Sequence, residues 1–326
     1  MSTKKIVIYS LYILFLLFSS VAVLGLAEAL TRIAWGDQIN VQYTDRSLYQ
    51  DRVYSPNTAG WRPHAVGTCC GKPVTINSLG LRGPEIDLNS NEEKILLIGD
   101  SVLFGPALQD SETIAEHLRA KLQACIINTA VIGYNSSHYV DVLSSWISKT
   151  KLDRVLVFWC LNDVQNDTSF VQKSTMSNTF DFALMQLRSR SKFYMALKNA
   201  ISDRSKIYFL YDLKYYQPGD HRYVKAKQDL RLIKNMCDTK NIALDVVILP
   251  YEYQIRNRNQ SSVWIPQELL KGYFDQQDIQ YREISFQEFD GEASKQLYLY
   301  ADGIHFSKQG HYLIAKQVIT YLSSVN

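Results

Sequence analysis

The chain has 326 residues, enough for one large domain or two small ones. Hydrophobic residues make up 46% and charged residues 21%, so a sizeable core can be buried and wholesale disorder is excluded. With 35 basic against 32 acidic residues the net charge is only +3, and no basic run or stripe follows a phosphate backbone. The sequence therefore predicts no nucleic-acid partner.

The first predicted element lies at the N-terminus. Lys4 and Lys5 precede Ile6–Ala27, a stretch without a charged residue. At ~1.5 Å per residue it forms a helix of ~33 Å, enough to cross a ~30 Å hydrocarbon core. It exceeds the ~7–15 apolar residues of a cleaved secretory signal, so an uncleaved membrane anchor over residues 1–30 is the preferred reading. Ala27-Glu28-Ala29 offers a small-residue cleavage pattern and keeps a secreted alternative open. Arg32 and Arg46 weaken the positive-inside bias, but a short head with two lysines reads as cytoplasmic. The bulk of the chain is then expected on the periplasmic or extracellular face.

Residues 31–93 form a polar, Tyr-containing stretch with Pro56, Gly60, Pro63 and Gly71, expected to wrap the main domain. Within it, Asn77-Ser78-Leu79-Gly80-Leu81-Arg82-Gly83 is turn-rich. The five cysteines, Cys69, Cys70, Cys125, Cys160 and Cys237, cannot all pair internally. One of Cys69 and Cys70 could reach a distant thiol outside the cytoplasm. Cys125 and Cys160 read as small buried hydrophobes. No CxxC or Cys/His spacing suggests a metal site, and no cofactor is expected.

Regular structure is predicted from Lys94 onward, giving a main domain over residues 94–326. Ile95–Ile98 is an unbroken apolar run of the kind that suits a central strand covered on both faces. Ile114, Leu118 and Leu122 recur with helical spacing, with Asp110 or Ser111 as N-cap. Cys125–Ile127 is a second strand. Tyr139, Leu143 and Trp146 mark a second helix, and Val155–Trp159 a third strand. Ala226, Leu230 and Ile233 belong to a later helix. Leu244–Leu249 is a fourth strand, stopped by Pro250, and the last helix spans about Gln309 to Leu322. Residues 165–222 form an insertion in which Phe182, Leu184, Leu187, Phe193, Tyr194 and Leu197 either line an acyl site or pack as a helical flap. Strands alternating with amphipathic helices imply an α/β three-layer sandwich around a central parallel sheet. In such sheets a ligand sits beyond the carboxyl ends of the strands.

Four polar pieces fall in order along this pattern. Gly99-Asp100-Ser101 places a serine on a strand-to-helix turn, with its amide in the helix N-terminal field. Gly133 lets backbone approach a ligand and offer an amide. Asn162-Asp163 follows the third strand, and an Asn amide can donate to a developing oxyanion. Asp302 stands three residues before His305. Its carboxylate can accept from Nδ1–H and leave Nε2 free to take a serine proton. Each piece alone reads equally as a cap or a turn; the ordered set does not.

That ordered set resembles the SGNH (GDSL-type) hydrolase superfamily over roughly residues 94–326, and Asn77–Gly83 with the anchor is similar to membrane-attached bacterial members. Cys160 stands where the third block usually opens with glycine. The resemblance implies a flavodoxin-like fold and a serine esterase acting through an acyl-enzyme. Ser101 would be the nucleophile, His305 the general base and acid, and Asp302 its orienting partner. The amides of Ser101 and Gly133 and the Asn162 side chain would form the oxyanion hole, with Gly99, Asp100 and Asp163 in support. The expected substrate is an O-acetyl or short acyl ester on an envelope glycan or lipid. Three alternatives stay open: an acyltransferase using the same site, a catalytically silent glycan-binding scaffold, and a lipase-like enzyme. His64, His117, His138, His221 and His311 compete poorly for the base. Asn135-Ser136-Ser137, Asn166-Asp167-Thr168 and Asn259-Gln260-Ser261 match a glycosylation pattern and are read as incidental.

Overall fold

The computed structural model describes residues 3–36, 39, 52–55, 58–165, 184, 187 and 190–325. Arg46, Pro56, Phe182 and Asn166-Asp167-Thr168 lie outside them. Helix α1 (Thr3–Trp35) carries the apolar N-terminal stretch. The large apolar side chains between Ile6 and Leu26 stay exposed, Phe18 at 75%, and the helix is long and apolar enough to cross a membrane.

Two antiparallel hairpins follow, β1 (Arg52–Ser55) with β2 (Thr58–Trp61) and β3 (Val66–Cys69) with β4 (Lys72–Thr75). The central sheet has five parallel strands in the order β6-β5-β7-β8-β9: β5 (Glu93–Ile98), β6 (Ala124–Asn128), β7 (Arg154–Trp159), β8 (Ala243–Ile248) and β9 (Gln280–Glu283). β5 sits between β6 and β7, with Leu96 opposite both Ile127 and Val155. A strand flanked on both sides and covered on both faces needs an unbroken apolar run, which explains Ile95–Ile98. β9 is an edge strand of alternating polar residues, and the apolar-run criterion did not mark it.

Helices cover both faces. α3 (Ile114–Arg119) packs with α10 (Lys308–Val325), and α4 (Ser136–Lys149) packs with α7 (His221–Lys240). The short helix α2 (Ser101–Phe104) follows β5 directly. In the insertion, α5 (Lys192–Ile201) and α6 (Arg204–Leu213) are helical, and after β8 come α8 (Glu252–Arg256) and α9 (Ile265–Gln277). The N-cap of α3 is Thr113, not Asp110 or Ser111. Asp110 is used elsewhere: it accepts from Arg82 Nε and from the Thr75 amide. None of the five cysteines forms a disulfide, so neither Cys69 nor Cys70 is bridged to a distant thiol. Cys69, Cys125, Cys160 and Cys237 are buried.

Residues preceding the sheet brace its carboxyl edge. The Arg82 guanidinium is buried and donates to the carbonyls of Phe104 (2.6 Å), Gly105 (2.8 Å) and Leu108 (2.7 Å). Its Nε donates to Asp110 at 2.8 Å, and its Cζ lies 4.6 Å from the Phe104 ring centroid. The planar fork thus satisfies carbonyls left open at the end of α2, where a cation also meets the negative end of a helix. Trp61 packs on Phe104 at 5.0 Å and donates from Nε1 to the Ala130 carbonyl.

Removing Arg82 leaves three carbonyls facing a dry interior. Arg82→Ala is expected to cost ~3–5 kcal/mol, and Arg82→Lys less than that, because an ammonium reaches fewer of these acceptors. Thermal unfolding of the full chain in detergent micelles measures it. An unchanged midpoint for Arg82→Ala would show that the guanidinium is not what holds α2.

Candidate active site

The turn after β5 is set by sterics. A Cβ on Gly99 would meet Leu103 Cβ at 2.8 Å, so only glycine lets the strand run straight into α2. Asp100 caps that helix, its Oδ1 accepting from the Val102 amide at 2.8 Å. Ser101 follows at the first helical position and is largely buried. The fourth piece arrives from the far end of the chain. The loop before α10 closes on itself through Leu299 N to the His305 carbonyl (2.9 Å) and Ser307 N to the Leu297 carbonyl (2.8 Å). Gly303 has φ +83°, and a Cβ there would meet Ser205 Cβ at 2.4 Å. Its carbonyl accepts from the Glu252 amide at 3.0 Å, fastening the loop to the segment leaving β8.

Three predicted residues meet in one chain of contacts. His305 Nε2 lies 2.8 Å from Ser101 Oγ, and His305 Nδ1 lies 3.0 Å from Asp302 Oδ1. That same Asp302 oxygen also accepts the amides of Ile304 (3.0 Å) and His305 (2.8 Å). Burial opposes the charge on both groups, but they charge each other. Asp302 is held down at about 2 by His305 and these hydrogen bonds, and His305 is pushed up to about 9 by Asp302, with Asp100 and Cys70 adding to it.

Asn162 lies in a short turn (Leu161–Val164) after β7, and its Nδ2 donates to Asp100 Oδ2 at 2.9 Å, joining the first and third pieces. Asp163 points the other way. It is fully buried, accepts from Tyr139 Oη (2.6 Å) and the Cys160 amide (2.7 Å), and shapes the turn that presents Asn162. Gly133 sits beyond β6 at the same sheet edge, exposed, with φ +85°. Among the described residues no hydrogen bond takes up the backbone N–H of Ser101 or Gly133.

Two supports carried no sequence signal. Arg82 is one. The other is Asp212 on α6, which accepts from Tyr251 Oη at 2.7 Å and from the Gln165 side chain, beside the Asn162 turn. Burial pushes Asp212 up to about 6 and Asp163 well above the usual carboxylate range, and it raises Asp100 as well. A lone Arg or Asp in a polar stretch has no periodicity to betray such a role.

His311, His138 and His117 stand apart from the Ser101–His305–Asp302 contacts. His311 is buried, accepts the Ile114 amide on Nδ1 at 3.0 Å, and is pushed down to about 3 by burial, so it stays neutral. His138 stacks on Tyr134 at 4.6 Å and contacts Asn135. His117 meets Tyr312 edge-on. Asn135 is buried and caps α4, which agrees with the incidental reading of its glycosylation pattern.

No family model matches the chain, and no curated protein matches it. Among solved structures it is similar to the psychrotrophic esterase EstA from Pseudoalteromonas sp., inhibited by monoethylphosphonate, at 14% identity over 72% of this chain and 98% of that one, TM-score 0.44. It is similar to the lipase/acylhydrolase from Enterococcus faecalis at 14% identity over 71% and 96%, TM-score 0.42. A member of the lipolytic protein G-D-S-L family from Veillonella parvula matches at 14% identity over 71% and 98%, TM-score 0.42.

His305 can accept the Ser101 proton only when it is uncharged. For catalysis that uses this pair on a neutral ester, kcat/KM is expected to climb about tenfold per pH unit below the His305 pKa of about 9 and to level off above it. Asp302→Asn removes the main charge that raises it, so the midpoint should fall toward the ordinary ~6.5 and the plateau should drop by about 10⁴-fold. A flat pH–rate profile from pH 6 to 10 for the wild type would contradict this coupling. Gly303→Ala, which forces the loop off Ser205, is expected to lower kcat at least tenfold with the fold retained by circular dichroism; wild-type kcat would refute it.

Proposed function

We propose that the chain is a membrane-anchored serine hydrolase of carboxylic esters, of the SGNH (GDSL-type) kind, working through a Ser101–His305–Asp302 triad and an acyl-enzyme. The observation that carries the reading is the continuous contact from Ser101 Oγ through the His305 ring to Asp302, at 2.8 and 3.0 Å.

In this reading His305 Nε2 takes the Ser101 proton as Oγ attacks the acyl carbonyl. The imidazolium formed is stabilised by Asp302 on the other nitrogen. It then returns the proton to the leaving alcohol, and a water activated by the same nitrogen releases the acid. Negative charge on the former carbonyl oxygen needs donors that are in place beforehand. The Ser101 and Gly133 amides supply two. Asn162 supplies the third from Nδ2, whose second hydrogen remains after the bond to Asp100. The substrate is an O-acetyl or short acyl ester of an envelope glycan or lipid. Helix α1 supports an anchored chain, with the triad outside the cytoplasm.

The test uses full-length protein in detergent micelles with a fluorophosphonate probe and a panel of p-nitrophenyl esters. Wild type is expected to label at Ser101 and to hydrolyse acetate fastest. Ser101→Ala and His305→Ala should each lose at least 10³-fold of turnover, and Ser101→Ala should not label. Wild-type turnover in both variants would sink the proposal.

A further inference from the structure

We propose that helices α5 and α6 form a docking platform that seats the chain on the lipid headgroup layer beside its own anchor. This rests on the reading of α1 as an uncleaved anchor.

Glu28 is the first charged residue after Ile6–Ala27, so it marks the level at which α1 leaves the hydrocarbon. At that level α1 is fastened to α5. The Glu28 carboxylate accepts the amides of Lys192 (3.0 Å) and Phe193 (2.9 Å) and the Ser191 hydroxyl (2.8 Å), satisfying the open N–H groups at the start of α5. Arg32 pairs with Glu28 at 2.7 Å and donates to the Arg190 carbonyl at 2.6 Å. The first turn of α5 is therefore held at headgroup depth by side chains of the anchor itself.

From that fixed point the two helices present apolar residues outward. On α5, Leu197 and Ile201 lie one turn apart on a single face, Ile201 at 77% exposed. On α6, Ile207, Leu210 and Tyr211 have i, i+3, i+4 spacing, with Ile207 at 56% exposed. The opposite faces are used by the protein, where Met195 and Phe209 are buried. Each helix thus has one apolar face packed inward and a second turned outward. Lys198, Lys206 and Lys214 border the outward set, and the Lys214 ammonium lies 3.7 Å from the Tyr211 ring centroid. An apolar stripe with a lysine rim is the pattern of a helix lying in an anionic membrane interface. Continuity with the anchor selects a lipid surface as the occupant over a soluble partner.

The inward side of α6 gives the platform a consequence for the substrate. Asp212 on that side backs the Asn162 turn through Tyr251 and Gln165. The element that rests on lipid is two contacts away from the proposed oxyanion donor, through Tyr251 or Gln165, which favours esters presented at the bilayer surface over freely diffusing ones.

The experiment uses the full chain with Ile201 or Ile207 replaced by a photoreactive benzophenone amino acid, and Lys151 replaced as control. Lys151 precedes β7, at the opposite edge of the sheet. The proteins are reconstituted in phosphatidylglycerol vesicles and irradiated, and lipid adducts are measured by intact mass. Adducts at positions 201 and 207 are expected at least tenfold above position 151. Yields at 201 and 207 equal to the control overturn the platform. The same mass shows whether residues 1–28 are present, and their loss overturns it through the anchor instead. The readout needs no turnover, so it stands apart from the Ser101 chemistry.

Discussion

One oxygen atom carries the geometry of the candidate site. Asp302 Oδ1 accepts from two backbone amides and from the His305 ring. The same contacts that fold the loop therefore also aim the imidazole of His305, and a loop that relaxed would lose that aim. Its partner Ser101 stands 204 residues earlier. The two meet because β5 ends, and α10 begins, at one edge of the parallel sheet. Around them three more carboxylates are buried, at Asp100, Asp163 and Asp212. Burial away from water raises each of them, and neighbouring carboxylates add to the shift at Asp163 and Asp212. A cationic imidazole offsets part of the rise at Asp100. Asp302 and Asp100 both favour the charged form of His305.

The helix that carries Ser101 cannot hold itself. Ser101–Phe104 is a single turn, and an isolated turn fixes several backbone angles for one hydrogen bond. Arg82 supplies what propagation would have supplied to a longer helix, by taking up the carbonyls at its end. Trp61 does the corresponding work beneath Ala130, in the segment that leads to Gly133. Tyr134 from that segment answers by accepting the Gly60 amide at 3.2 Å. Arg82, Trp61 and Gly60, all ahead of the sheet, are thus part of the scaffold of the candidate site.

The sequence was legible where burial imposes a pattern. Ile95–Ile98, Val155–Trp159 and Leu244–Leu249 are strands covered on both faces, and continuous apolar runs have few other uses. Ser101, Asn162, Asp302 and His305 could be singled out because their ordered set resembles the blocks of a known family, and the structure brings Ser101, His305 and Asp302 into contact. Gln280–Glu283 was not, since an edge strand keeps polar side chains and its partner supplies the geometry. The cap at Thr113 was misplaced because Asp110, a better cap by type, is held by Arg82 and Thr75. Helices α5 and α6 resisted assignment for a related reason: with apolar residues on two faces, their periodicity points in two directions at once.

That doubled periodicity bears on how the insertion and the site are coupled. A helix with one apolar face is satisfied by packing on its own protein. Helix α6 packs Phe209 inward and still leaves Ile207, Leu210 and Tyr211 outside. On the inward side it also bears Asp212, raised to about 6 by burial and held by Tyr251 and Gln165. A buried acid of this kind stays tolerable only while its two donors stay in reach. Any force that seats α6 more firmly keeps those donors engaged and keeps the Asn162 turn backed. Any force that lifts it exposes Asp212 to water and frees Tyr251 from its strongest acceptor. Under the proposed docking, a lipid surface on the outer face of α6 acts on the Asn162 turn through a single rigid element, with no need for a second conformation of the sheet.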